Sequence, residues 1–133
     1  MIDIESAVFT ACKTALKAKF PDVTVESVTN YNPAKLPYVG IEEADNYSYN
    51  PTRDTETNEN HAVVMYEVNV FSNKSSGKKS EAKKIASAVD EVMNGLGFTR
   101  SRMNPINLDG ATMYRLFLRY TAIVGKNKTI YRR

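Results

Sequence analysis

Residues 72–80, Ser-Asn-Lys-Ser-Ser-Gly-Lys-Lys-Ser, put a glycine, lysines and hydroxyls between a predicted strand and a predicted helix. A phosphate-binding loop occupies that position in nucleotide-binding folds, because backbone N–H groups at a helix start cradle phosphate oxygens. The pattern G-x-x-x-x-G-K-[ST] fails here twice. Its first glycine would fall at Ser72, and Lys79 follows Lys78 where a magnesium-holding hydroxyl is needed. His61 is the single histidine, so a zinc site built on it would need several carboxylates. Glu42, Glu43 and Asp45 cluster on a predicted strand, but successive strand residues point to opposite faces and make poor acid/base partners. No G-x-S-x-G turn presents a serine nucleophile. Cys12 is the single cysteine and lies on an apolar helix stripe, which predicts a small buried hydrophobe rather than a disulfide or metal ligand. These patterns predict no enzyme and no cofactor.

Residues 112–124 do suggest an activity of another kind. Thr-Met-Tyr-Arg-Leu-Phe-Leu-Arg-Tyr-Thr-Ala-Ile-Val is β-branched and aromatic throughout and reads as one long strand. Alternation puts Tyr114, Leu116, Leu118, Tyr120, Ala122 and Val124 on one face, a core face. Met113, Arg115, Phe117, Arg119, Thr121 and Ile123 take the other. That second face is too charged for a core, since burying an unpaired guanidinium is very costly, and too apolar for an ordinary wet surface. Residues 62–72 repeat the arrangement: Val64, Tyr66, Val68 and Val70 on the core face, Met65, Glu67, Asn69 and Phe71 opposite. Arginine and aromatics are enriched at protein interfaces, so the second face is read as a partner surface built from Met65, Glu67, Phe71, Arg115, Phe117 and Arg119, with Arg100 and Arg102 on one face nearby. Its arginines are expected to meet carboxylates of a neighbouring subunit, with Glu42, Glu43, Asp54, Glu56 and Glu59 as candidates. A different use of Arg100, Arg102, Arg115, Phe117 and Arg119 is an RNA-stacking platform. The ribonucleoprotein signature is missing, and three strands before the second helix do not fit that fold.

The elements that position these residues follow from periodicity. Ile4, Val8, Ala11, Cys12, Ala15 and Leu16 recur at helical spacing, predicting a helix over 4–19 with Asp3 as N-cap and Phe20-Pro21 as its stop. Strands are predicted over 23–28 and 38–44, around a proline-bearing loop at 30–37. Pro37 and Gly40 suit an edge position or a bulge. Residues 45–60 are polar, net negative and nearly free of aliphatics; they read as a solvated loop or as an arm that orders against a neighbour, and are expected to be mobile in an isolated subunit. A second helix is predicted over 78–94, with Ala82, Ile85, Ala86, Val89, Val92 and Met93 inward and Gly95 at the left-handed cap. A strand over 98–103, a turn over 104–110 and a short basic strand at 129–133 complete the chain. The predicted fold is α+β, in the order α-β-β-β-α-β-β. One mostly antiparallel sheet carries both helices on one face.

At 133 residues, 25% charged and 42% hydrophobic, the chain fits one domain able to bury a core without disulfide or metal. A net charge of +3 does not by itself imply nucleic acid. The acidic start Met-Ile-Asp-Ile-Glu lacks a signal peptide's apolar region, and no apolar run approaches a membrane span, so a reducing cytoplasm is expected.

Size, element order and three stretches carry a resemblance: the polar loop leading into His-Ala-Val-Val-Met-Tyr-Glu-Val-Asn-Val-Phe-Ser-Asn at 61–73, the helix end Met-Asn-Gly-Leu-Gly-Phe at 93–98, and Tyr-Arg-Leu-Phe-Leu-Arg-Tyr at 114–120 with the ending Thr-Ile-Tyr-Arg-Arg. Over nearly its whole length the chain resembles the tail terminator (tail completion, tail-joining) proteins of tailed bacteriophages and prophages. The resemblance implies a structural virion protein of tail or neck, present in the bacterial host cytoplasm during assembly. It implies a homo-oligomeric ring, six subunits on the head-proximal end of the tail tube, which ends tube polymerisation and meets the head-closure or connector protein. DNA would pass through the lumen as cargo, with no cofactor, active site or membrane involved. Head-closure and head–tail adaptor proteins are similar in size and form the alternative reading. Should the sheet face not be the assembly surface, the C-terminal Ile130, Tyr131, Arg132 and Arg133 are the next candidates.

Overall fold

A computed structural model describes residues 1–49, 61–106 and 113–131. Asp54, Glu56, Glu59, Arg132 and Arg133, and the Asp109-Gly110 turn, lie outside the described residues. The predicted α+β architecture is present. Helix α1 (Glu5–Lys19) is followed by β1 (Thr24–Glu26), β2 (Tyr38–Ser48) and β3 (His61–Ser72). Then come α2 (Lys78–Leu96), β4 (Thr99–Ile106), β5 (Tyr114–Gly125) and β6 (Ile130–Tyr131). The sheet order is β1-β2-β3-β5-β4, with β6 continuing the β4 side of β5. All pairings are antiparallel except β1 with β2.

Both helices pack on the face formed by Val64, Tyr66, Val68 and Val70 of β3 and Leu116, Leu118, Tyr120, Ala122 and Val124 of β5. Val8, Cys12 and Leu16 come down from α1, and Ile85, Val89 and Met93 from α2. Ala11 and Val92, expected at the centre, sit only half-buried at the margins, and Cys12 and Met93 take that place. The Cys12 Sγ lies 3.6 Å from the Met93 Sδ where the helices touch. Burial pushes the Cys12 thiol up to about 12, so it stays protonated and inert, as a buried hydrophobe should.

Several boundaries differ from expectation, each for a local reason. The residue capping α1 is Ile4, while Asp3 accepts the Glu5 N–H at 3.0 Å one position earlier. β1 is three residues long, and Val28, expected within it, is 70% exposed. β2 runs on through Asp45–Ser48, expected as loop. A bulge at Ala44 shifts the register, and the Asn46 amide donates to the Ile2 carbonyl at 2.7 Å, so polar side chains find partners along the strand. α2 continues past Gly95, and Gly97 is its left-handed cap: its N–H and that of Phe98 reach Asn94 and Met93 carbonyls. β4 includes Asn104, Pro105 and Ile106, expected as turn. Pro105 is tolerated because β4 is the outermost strand.

Three buried tyrosines share one device. Tyr38, Tyr66 and Tyr120 are almost fully buried, and each hydroxyl donates to a carboxylate: Glu26 at 2.6 Å, Glu43 at 3.2 Å and Asp90 at 2.9 Å. Burial, then the adjacent carboxylate, raises Tyr38 to about 12; the same two causes raise Tyr66 and Tyr120 further. The folded state therefore holds these protons more tightly than the unfolded chain does. Their stabilising contribution is complete below the ordinary phenol value of 10.0 and is lost as pH rises through the folded values. Denaturant melts taken at rising pH should lose stability steeply once pH passes 10, with phenolate absorbance appearing in step with unfolding. Phenolate signal from all eight tyrosines in a still-folded chain would contradict the burial.

Candidate interaction surface

The second sheet face is organised in rows across four strands. One row runs Glu42, Glu67, Arg119, Arg102, each directly opposite the next. The row beside it is Gly40, Asn69, Phe117, Asn104, and the following one is Tyr38, Phe71, Arg115, Ile106. The face thus brings together Glu67, Phe71, Arg102, Arg115, Phe117 and Arg119 of the predicted set. Met65 follows on the next row, opposite Asp45 and Thr121.

Arg100 does not join them. The ladder between β4 and β5 jumps from Arg100–Tyr120 to Arg102–Arg119, leaving Ser101 as a bulge. A bulge residue inverts the alternation, so Arg100 and Arg102, expected on one face, lie on opposite faces. Arg100 turns to the helix side and pairs with Asp90 at 3.3 Å.

The arginines of this face also have partners inside the chain. Arg119 donates through Nε and Nη2 to one Glu67 oxygen, at 3.1 and 2.8 Å, with both side chains about one-third exposed. This cross-strand pair holds a second carboxylate, Glu42, opposite Glu67, where two acids alone would repel. Arg115 donates to Asn69 Oδ1 at 2.8 Å and lies between the rings of Tyr31 at 4.8 Å and Phe71 at 5.6 Å. Arg102 donates to Asn104 at 2.8 Å, and it and Arg119 flank the Phe117 ring at 5.8 and 5.6 Å. A guanidinium over an aromatic face is attracted by the ring quadrupole and covers its apolar surface. Phe117 is accordingly 9% exposed, and Phe71, expected at the surface, is fully buried.

Phe71 is buried because the sheet's second face is half roofed. The segment between β1 and β2 folds back over it. Its Thr29 N–H donates to Glu42 at 2.6 Å, its Asn30 N–H donates to the Tyr38 hydroxyl at 2.9 Å, and Tyr31 covers Arg115. Tyr38 meets Phe71 edge to face at 5.8 Å beneath it. Gly40 permits this approach: a Cβ there would sit 2.6 Å from the Thr29 hydroxyl and 3.0 Å from its Cα. Gly40→Val is expected to lift the roof and cost roughly 1–3 kcal/mol. Equilibrium denaturation would read this, and an unchanged midpoint would show that the roof adjusts freely.

What stays accessible is the unroofed half, with the Glu67–Arg119 pair, Arg102 and the exposed edge of β4, where Met103 is 45% exposed. At the opposite corner Tyr131 packs on His61 at 5.4 Å, and Ile130 is half-buried against the core. That partly withdraws Ile130 from the surface, while Tyr131 stays 46% exposed. Tyr31, Asn69 and Asn104 belong to this surface but not to the expected partner set, although alternation places Asn69 on this face. The first sits in a proline-bearing loop, and the others matter only through the arginines they meet. Among the described residues no group of three or more His, Cys, Asp or Glu side chains could hold a metal ion. Nor is any helix long and apolar enough to cross a membrane.

No family model matches the chain, and no curated protein matches it. Among solved structures, it is similar to a chain of the virion of a native gene transfer agent particle. The two share 20% identity with a TM-score of 0.66 over 92% of this chain and 94% of that one. The chain shares the fold of a virion component. The likeness runs nearly end to end in both chains, so it concerns the whole domain and not a common sheet motif.

Proposed function

We propose that this protein is a structural component of a phage-like virion, and within it the ring that caps the head-proximal end of the tail tube. The observation that carries the proposal is the end-to-end fold likeness to a virion chain. The tail-terminator resemblance of the strands and helix end gives the finer assignment, including the ring of six, the tube and head-closure partners, and DNA as cargo. In this reading the protein works by contact and not by catalysis.

The charged row supplies a physical reason for a ring. Reading across the sheet it is acidic at Glu42 and Glu67 and basic at Arg119 and Arg102. A polar row complements a rotated copy of itself head to tail, the basic half of one subunit facing the acidic half of the next. Such heterologous contacts close into rings when the rotation allows. A neck role, as head-closure or adaptor ring, would use the same row against a different axial neighbour.

The test is reconstitution. Purified protein added to growing tail tubes should stop elongation and appear at one end as a ring in negative stain. Tubes that elongate unchecked, with no added density at either end, would exclude the terminator role.

A further inference from the structure

A further unassigned surface lies on the opposite side of the domain, on the outer face of α2. Lys79, Lys83 and Lys84, with Ser80 and Ser87, lie within about 140° of arc and about 12 Å of helix, and they line a shallow open groove. The carboxylates of α2 are all occupied elsewhere. Glu81 accepts from Ser72, Asp90 holds Tyr120 and Arg100, and Glu91 pairs with Lys19. Among the described residues, none comes within ion-pair distance of Lys79, Lys83 or Lys84. The first of these lies in the opening turn, where positive charge opposes the helix dipole and gains nothing from the helix itself.

We infer that this face of α2 binds the phosphate backbone of double-stranded DNA without regard to base sequence. The composition decides between polyanions. The groove has lysines and serines and no aromatic or large apolar side chain. Lysine and serine are depleted from protein–protein interfaces, whereas they are standard donors to phosphate oxygens. Without an aromatic ring the groove offers no platform for unstacked bases, which separates it from single-strand binders. Its length matches about three to four phosphates along one strand of a duplex. The row lies across the helix layer from the charged sheet row, so the inference does not depend on ring formation.

The measurement is fluorescence anisotropy of the purified full-length protein with a random-sequence duplex of about 20 base pairs. Three lysine–phosphate contacts predict that affinity falls about 40-fold between about 50 mM and about 200 mM salt. The triple variant K79Q/K83Q/K84Q keeps good helix formers at exposed positions and should melt like the parent chain. It should lose binding and most of the salt slope. A companion variant, K35Q in the exposed segment between β1 and β2, should bind as the parent does. The assignment is overturned by absent binding at low salt, by a triple variant that binds unchanged, or by loss in K35Q instead. Equal affinity and salt slope for poly-glutamate would also overturn it, making the groove a site for acidic protein surfaces.

Discussion

Leu118→Ala is expected to cost about 2–5 kcal/mol, a large share of the ~5–15 kcal/mol that holds a domain of this size together. Leu118 is fully buried at the middle of β5, between Val68 of β3 and Met103 of β4, on the face covered by the helix layer. Neither side can collapse into the vacancy. The strands are fixed by ladders on both sides, and the helices are held against one another at Cys12 and Met93. The loss therefore has both a transfer part and a cavity part. Urea denaturation of parent and variant gives the number directly. A cost below about 1 kcal/mol would mean that the layers slide together and the core is less tightly packed than described.

That position also shows what the sequence made legible. The alternation in β3 and β5 assigns each side chain to its face, because the period of a strand is two and a slip of one residue would expose the whole apolar set. Leu118 inside and Phe117 opposite follow from it, as does the placement of both helices on one face. Local periodicity carries no information about extra residues in a ladder. The bulge at Ser101, which separates Arg100 from Arg102, therefore had no signature, and neither did the one at Ala44 that precedes the polar end of β2. Partners distant in sequence were hidden for the same reason. Arg119 and Glu67 are 52 positions apart, and only the sheet register sets them opposite one another. The roof over Phe71 depends on Gly40 admitting Thr29, a contact between a loop and a strand that composition does not announce. The second face was recognisable as unusual; the extent to which the chain satisfies it internally was not.

This internal pairing determines which substitution can probe assembly. Arg119→Glu would place three acids in a row with Glu42 and Glu67 and would damage the sheet as well as any contact. Arg102→Glu is the sharper choice. Arg102 is exposed, bonds Asn104 and stands directly opposite Arg119, so a glutamate there gains an oppositely charged neighbour while the outer, basic end of the row reverses sign. The free protein should remain folded, with a melting transition close to the parent's, yet fail to join its own copies head to tail. Loss of ring formation with retained fold would make the charged row the assembly surface. Normal rings would shift the contact to the β4 edge or to the C-terminal residues Ile130 and Tyr131.

The proposed role of this chain in ending tail-tube growth is open to a direct measurement, the tail-length distribution of assembled particles. In cells producing particles without this protein, tails should be overlong and widely distributed. The parent chain should restore one narrow length, while Arg102→Glu should not. Tails of normal, uniform length in the absence of the protein would exclude that role.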